Sequence, residues 1–315
     1  MVNAQDLYPT RIHDEARILD RVDPVVYSDP ATEGPLNYEQ LDSFENKGFV
    51  HVENFFDEDT VRELSQALER ARTENTGSDR PEVIQEPASG DVRSIFAVHQ
   101  HNPVYRELSR DPRLLRAIFQ VLGSDAYIHQ SRINFKPGFR GKEFYWHSDF
   151  ETWHAEDGMP RMRAVSCLIP MTPNDEFNGA LMLIPGSHRH YISCVGHTPE
   201  DNYKRSLKQQ STGVPDDDSL RWLVDKYGIE APHTGPGSLL LFDCNVMHGS
   251  NSNISPFPRS NVFFVYNSVH NTLQQPFGAD APRPDFLAER RPAGLGADRV
   301  PAMSKRVRGA SRARA

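Results

Sequence analysis

Among the thirteen histidines of this chain, His147 stands two residues before an aspartate, Asp149. In an extended strand, side chains two apart project to the same face, so an imidazole and a carboxylate at this spacing would converge. A further histidine, His248, lies far downstream. Two imidazoles and one carboxylate make the facial triad of non-heme Fe(II) oxygenases, which leaves open positions on the iron for other ligands. The pattern has an internal competitor, since His154-Ala155-Glu156 carries the same spacing. The first triplet is preferred because an aromatic, strand-like run, Phe144-Tyr145-Trp146, leads into it. His154 instead precedes Glu156-Asp157-Gly158-Met159-Pro160, which reads as a turn.

The downstream end adds a second kind of chemistry. The apolar run 237–243 reads as a buried strand entered through Gly235-Pro236-Gly237, and it leads to Met247-His248-Gly249-Ser250. Arg259 then stands at the entry of another alternating run, 261–269, expected beside the strand that leads to His248. An arginine there can pair a carboxylate bidentately in a way that a lysine cannot. The far carboxylate of 2-oxoglutarate would need that, and the Ser250 hydroxyl could donate to the same oxygens.

These residues need elements to position them. From residue 126 onward strands dominate the pattern, at 127–135, 144–149, 162–170, 180–184, 237–242 and 261–269. Before them, a short helical patch is expected near 12–22, a helix over 38–47 stopped by Gly48, and a strand over 48–52. A helix from the Asp57-Glu58-Asp59 cap cluster runs to about Arg72. A loop over 73–87 and a helical stretch over 102–122, broken at Asp111-Pro112 and ended by Gly123, follow. Residues 190–230 form a polar insertion with one helix, 217–227. Helices supporting many short antiparallel strands predict a mainly β protein with a double-stranded β-helix, or cupin-like jelly-roll, core. The organisation expected is an N-terminal extension (1–36), a single domain (37–290) and a basic tail (291–315) carrying Lys305, Arg306, Arg308, Arg312 and Arg314.

Composition narrows the classes. The chain has 315 residues, with 35 basic against 43 acidic side chains and a formal net charge of −8. That balance disfavours a general nucleic-acid binder. No apolar run is long enough to span a bilayer, and the first residues lack the pattern of a signal peptide. The three cysteines, Cys167, Cys194 and Cys244, are scattered, which argues against a disulfide framework or a zinc knuckle. A cytoplasmic protein is expected. Neither nucleic acid nor membrane is expected as a partner, and a second copy of the chain, as a homodimer, is the one protein partner allowed for.

The run from Phe144 to Pro160, with Trp-His-Ser-Asp-Phe-Glu-Thr-Trp-His at its centre, resembles the signature of ectoine hydroxylases. These belong to the phytanoyl-CoA hydroxylase-like group of Fe(II)/2-oxoglutarate dioxygenases. Asn178-Gly179-Ala180-Leu181-Met182-Leu183-Ile184-Pro185-Gly186-Ser187-His188 is similar to the wider group, and the likeness spans residues 38–290. The resemblance implies that His147, Asp149 and His248 bind Fe(II). It implies that Asn134, Phe144, Ser250 and Arg259 hold 2-oxoglutarate, and that Gln130, Thr152, Trp153, Asn261 and Phe263 surround ectoine. The implied reaction consumes O2, releases succinate and CO2, and makes 5-hydroxyectoine, a compatible solute. Trp153 and Phe263 would face the delocalised amidinium of ectoine, and Gln130 and Asn261 its carboxylate. Two alternatives stay open: the same chemistry on another small zwitterion or acyl substrate, and a non-catalytic jelly-roll binding protein.

Overall fold

The computed structural model describes residues 6–29, 32–86 and 89–296. Lys305, Arg306, Arg308, Arg312 and Arg314 of the basic tail lie outside the described residues. In chain order the strands are β1 (Arg17–Asp20), β2 (Phe49–Val52), β3 (Val83–Gln85), β4 (Val92–Phe96), β5 (Ala126–Lys136) and β6 (Phe144–His147). They continue with β7 (Ala164–Pro170), β8 (Leu181–Leu183), β9 (His190–Ser193), β10 (Leu239–Asp243), β11 (His248–Ser250) and β12 (Arg259–Ser268). The helices are α1 (Tyr38–Lys47), α2 (Glu58–Glu74), α3 (Val98–His101), α4 (Pro103–Leu108), α5 (Pro112–Leu122), α6 (Asp149–Thr152), α7 (Asn202–Ser206) and α8 (Asp217–Tyr227).

Two sheets face each other, as in a jelly roll. The larger runs β2-β10-β7-β12-β5-β4-β3 and the smaller β6-β11-β8, with every pairing antiparallel. The period of two along each strand sorts the residues of the larger sheet between its faces. Ile133 and Phe135 of β5 and Val262 and Phe264 of β12 turn outward and pack with Leu64 and Leu68 of α2 and Leu114 and Ile118 of α5. Phe263 and Leu168, of opposite parity, pack between the sheets with Leu183 and Phe242. The inner positions of β5 are Gln130, Arg132, Asn134 and Lys136, so its polar residues face the space between the sheets.

Caps set the helix boundaries where the sequence places them. Asn37 accepts from the Gln40 backbone while the Gln40 side chain accepts from the Asn37 backbone, a reciprocal capping box. Gly48, at φ 84°, ends α1 in the left-handed region that favours glycine. Asp57 caps α2 and Asp111 caps α5.

Several expectations differ from what is observed. The patch at 12–22 contains a strand, β1, because pairing with β9 decides a short segment that local periodicity leaves ambiguous. The loop expected over 73–87 ends in β3, which pairs with β4. The insertion at 190–230 holds β9 and α7 besides α8. The strand carrying Arg259 is not beside the one leading to His248: β7 lies between β10 and β12, and β11 belongs to the other sheet. The N-terminal residues also enter the core. Tyr8 is fully buried, its ring 5.3 Å from Phe150 and 5.2 Å from Tyr191, and Arg21 pairs with Asp243 at 2.9 Å.

Candidate active site

β6 ends at His147, so Asp149 is not a strand residue; it begins the helical turn α6. The chain turns there, yet the two side chains still converge, with His147 Nε2 3.8 Å from Asp149 Oδ1. β11 brings in the third group. His248 lies opposite His147 in the antiparallel register, the two rings are 4.3 Å apart, and His248 Nε2 is 3.9 Å from Asp149 Oδ2. One donor atom from each residue falls within 4.8 Å of the others.

Backbone carbonyls fix the rings. His147 Nδ1 lies 2.7 Å from the Tyr145 carbonyl and His248 Nδ1 3.0 Å from the Val246 carbonyl. Each Nδ1 then carries the proton and each Nε2 keeps its lone pair toward the shared centre, the arrangement a metal requires. Burial, reinforced by the neighbouring His248, pushes the His147 pKa down to about 4. Burial alone would raise the Asp149 pKa, but His248, Arg132 and His147 outweigh it and hold the carboxyl below its ordinary value. Ser166 donates to Asp149 Oδ2 at 3.2 Å. The donor set is two neutral imidazoles and one carboxylate, which suits Fe(II) with positions left over.

Arg259 faces this centre from the larger sheet. It is buried, makes no ion pair among the described residues, and its Nε has no hydrogen-bond partner there. Burial pushes its pKa down to about 10. An unpaired buried cation is costly unless an anion completes it. Asn261, two residues on, supports it: with the amide oriented to satisfy its neighbours, its oxygen accepts from Arg259 Nη1 at 3.1 Å and its nitrogen donates to the Ser260 carbonyl at 2.9 Å. Ser250 accepts a hydrogen bond from the buried Lys136 Nζ at 2.8 Å, and burial beside Arg259 and Arg93 pushes the pKa of that lysine down to about 6. Ser94 donates to Asn134 at 2.9 Å. The Phe144 ring lies beneath the Arg93 guanidinium at 4.1 Å.

One cavity joins these groups. It is lined by the three converging donors and by Asn134, Phe144, Ser250 and Arg259. Gln130, Thr152, Trp153 and Phe263 line it too. Asn261 does not: it shares the inner face of β12 with Arg259 and Phe263, but its amide is occupied by Arg259, Ser260 and Asn174. In this arrangement Asn261 supports Arg259.

Trp153 reads as a residue of a polar segment, yet it is 2% exposed and packs with Phe150 and Met159 while also lining the cavity. It opens a π-helical turn, Trp153–Asp157, closed by Gly158 at φ 81°. Such turns are rare and recur at functional sites.

Among the charged residues that line the cavity, Arg132 and Arg283 were not singled out from the sequence, and Glu156 was considered only as part of the competing triplet. Arg132 was readable, since it alternates with Gln130 and Asn134 on one face of β5. Its guanidinium lies 4.5 Å over the Phe263 ring and donates to Gln130. Arg283 carries no local signal, and the only local signal of Glu156 is its spacing from His154. Arg283 comes from a segment without regular structure and pairs with Asp157 at 2.6 Å.

Comparison with known proteins agrees with this geometry. Residues 44–261 match the phytanoyl-CoA dioxygenase family model. The chain is 50% identical to the ectoine dioxygenase of Sphingopyxis alaskensis over 298 residues, covering 94% of this chain and 97% of the relative. It is 54% identical to that of Bordetella bronchiseptica over 288 residues, covering 91% and 94%. The crystal structure of S. alaskensis EctD with 2-oxoglutarate and 5-hydroxyectoine superimposes with a TM-score of 0.85 at 47% identity, covering 92% of this chain and 97% of that one. A more distant structure, the carbocyclase SnoK of nogalamycin biosynthesis, shares the fold at 17% identity and a TM-score of 0.60, covering 80% and 89%. By family match, by identity over nearly its whole length and by fold, the chain belongs to the phytanoyl-CoA dioxygenase family and, within it, to the ectoine dioxygenases.

Proposed function

We propose that this protein hydroxylates ectoine to 5-hydroxyectoine, using Fe(II), 2-oxoglutarate and O2 and releasing succinate and CO2. His147, Asp149 and His248 would hold the iron. Bound there with 2-oxoglutarate and O2, the iron supplies the oxidising power for C–H hydroxylation. The chain's own residues supply position. Arg259 takes the far carboxylate of 2-oxoglutarate in a fork, with Asn261 fixing its plane, Ser250 adding a hydroxyl and Asn134 and Phe144 bounding the space.

Ectoine is a zwitterion, a ring amidinium with a carboxylate. Arg132, which has no ion pair among the described residues, offers its guanidinium to that carboxylate beside Gln130. Trp153 and Phe263 offer ring faces, and Thr152 a hydroxyl. Misplacement of the reacting carbon wastes the oxidant, so such fixed walls matter to the yield. The observation that carries the reading is the buried, uncompensated Arg259 aimed into the same cavity as a two-histidine, one-carboxylate centre. A binding protein without 2-oxo acid chemistry has no use for it. No helix of the described residues is long and apolar enough to cross a membrane, and we read the enzyme as cytoplasmic, with residues 37–290 as its single catalytic domain.

The test loads the protein anaerobically with Fe(II), adds O2, 2-oxoglutarate and ectoine, and follows succinate and hydroxyectoine together. Equal amounts are expected. Succinate without hydroxyectoine would remove ectoine as substrate and keep the dioxygenase. Neither product, with iron bound, would leave a binding protein.

A further inference from the structure

Three buried carboxylates beside the cavity share two guanidinium partners unequally, and the smallest share falls on one side chain. Glu151, Glu156 and Asp157 are packed with Arg11 and Arg283, three carboxylates shared between two guanidiniums. Arg11 clasps Glu151 with two bonds, Nε to Oε1 at 2.9 Å and Nη2 to Oε2 at 2.7 Å. Arg283 clasps Asp157 likewise, Nε to Oδ1 at 2.8 Å and Nη2 to Oδ2 at 2.6 Å. Each fork satisfies both oxygens of its carboxylate.

Glu156 receives what remains. Arg11 Nη1 at 2.7 Å and the Asn202 amide at 2.8 Å both reach Oε1, and no hydrogen bond among the described residues falls on Oε2. Glu156 is 2% exposed and lines the cavity. A buried carboxylate in this state is stabilised by a cation brought to its open side.

We propose that Glu156 is the counter-ion of the substrate cation, meeting the ectoine amidinium through Oε2. The inference rests on the ectoine reading and deepens it. An amidinium presents N–H groups to a carboxylate as a guanidinium does, and Trp153, on the same π turn, offers its ring face to the same charge. Arg11 and Asn202 act as positioning residues, holding Oε1 so that the carboxylate cannot turn away. With Arg132 on β5 for the substrate carboxylate, the cavity recognises both ends of the zwitterion. A neutral amide of the same shape lacks the cation, and this pocket discriminates against it.

Anaerobic calorimetric titration of ectoine into protein loaded with Fe(II) and 2-oxoglutarate measures binding without turnover. Glu156→Gln keeps the shape and the Oε1 acceptor and removes the charge. Its ectoine Kd is expected to rise by about tenfold or more, with 2-oxoglutarate binding not reduced. Glu156→Asp, shorter but charged, should recover part of the loss. An unchanged Kd in Glu156→Gln, while the wild type binds ectoine, overturns the proposal and leaves the ectoine reading standing. A wild type that does not bind ectoine overturns both. If Glu156→Gln does not fold, Asn202→Ala releases Oε1 without breaking the salt bridge, and it must weaken ectoine binding alone; equal affinity there overturns the proposal.

Discussion

Two His-x-acid triplets stand close together in this chain, and only one forms a candidate metal centre. In the first, His147 commits Nδ1 to a backbone carbonyl and keeps Nε2 free, and among the described residues Asp149 receives a single hydroxyl donor at 3.2 Å. In the second, both ring nitrogens of His154 are engaged, Nδ1 with the Met159 carbonyl at 2.8 Å and Nε2 with Asp6 at 3.1 Å. The His154 ring stacks on Phe277 at 4.1 Å, and Glu156 is drawn aside to Arg11. Identical spacing therefore yields a ligand set only where the surrounding chain leaves donor atoms uncommitted. In the second triplet Asp6 and Arg11, far away in sequence, make the commitment.

The largest expected effect tests this contrast directly. His147→Ala or Asp149→Ala should reduce iron content and activity by more than the about 10–100-fold typical of losing an outer-shell partner. His154→Ala should keep stoichiometric iron, measured by metal analysis, and lose about 3 kcal/mol of stability, or about 5–10 °C in melting temperature. Iron lost in His154→Ala and retained in the other two would reverse the assignment.

Arg259 separates binding from stability. Arg259→Leu should raise the KM for 2-oxoglutarate by about 100-fold, since charge-assisted forks contribute about 3 kcal/mol. The melting temperature of the cofactor-free protein should not fall, because the change removes a buried cation with no counter-ion. The stabilisation that 2-oxoglutarate confers on the iron-loaded wild type should disappear with it. A variant that melts lower yet binds 2-oxoglutarate normally would show Arg259 to be structural.

Trp153 stands between the two triplets and shares features of both. Trp153→Ala should raise the ectoine KM by about tenfold, as a desolvated cation–π contact of ~1–2 kcal/mol implies, and leave iron near normal. Because the ring also packs on Phe150, the melting temperature should fall as well. Complete loss of iron would mean that the π turn holds Asp149 rather than substrate.

The parts of this molecule legible in the sequence are those fixed by local rules. The α1 and α2 caps, the break at Asp111-Pro112 and the alternation of β5 and β12 depend on neighbours in the chain, and they stand where the residues place them. His147 and Asp149 were also legible, though for a partly wrong reason: a helical turn rather than a continued strand brings them together. The support that Asn261 gives Arg259 was not legible, because alternation gives the face of a strand and not which inward residue bonds to another. Arg283 was invisible, and Glu156 was legible only as the carboxylate of the competing triplet, because their place in an ion cluster comes from segments far apart in the chain. Short strands such as β1, β3 and β4 depend on pairing partners that no local pattern names.

The smallest expected effect concerns what a depressed histidine pKa signifies. Burial pushes His188, like His147, down to about 4, yet His188 lies under α1 with Nε2 3.1 Å from the Glu45 carbonyl, and among the described residues it belongs to no cluster of metal-ligating groups. Its folded pKa is below its ordinary value of 6.5, so folding favours the neutral ring. The resulting stabilisation is fully present above pH 6.5 and is lost as the pH falls toward 4, where the folded state also takes up the proton. The total is at most about 3 kcal/mol. Urea melts of cofactor-free protein at pH 7 and pH 4.5 should show a smaller acid loss in His188→Gln than in the wild type. The same difference should persist with iron present, since His188 is no ligand. Equal acid losses would assign the sensitivity to His147 and the other buried histidines, and a difference abolished by iron would couple His188 to the metal centre.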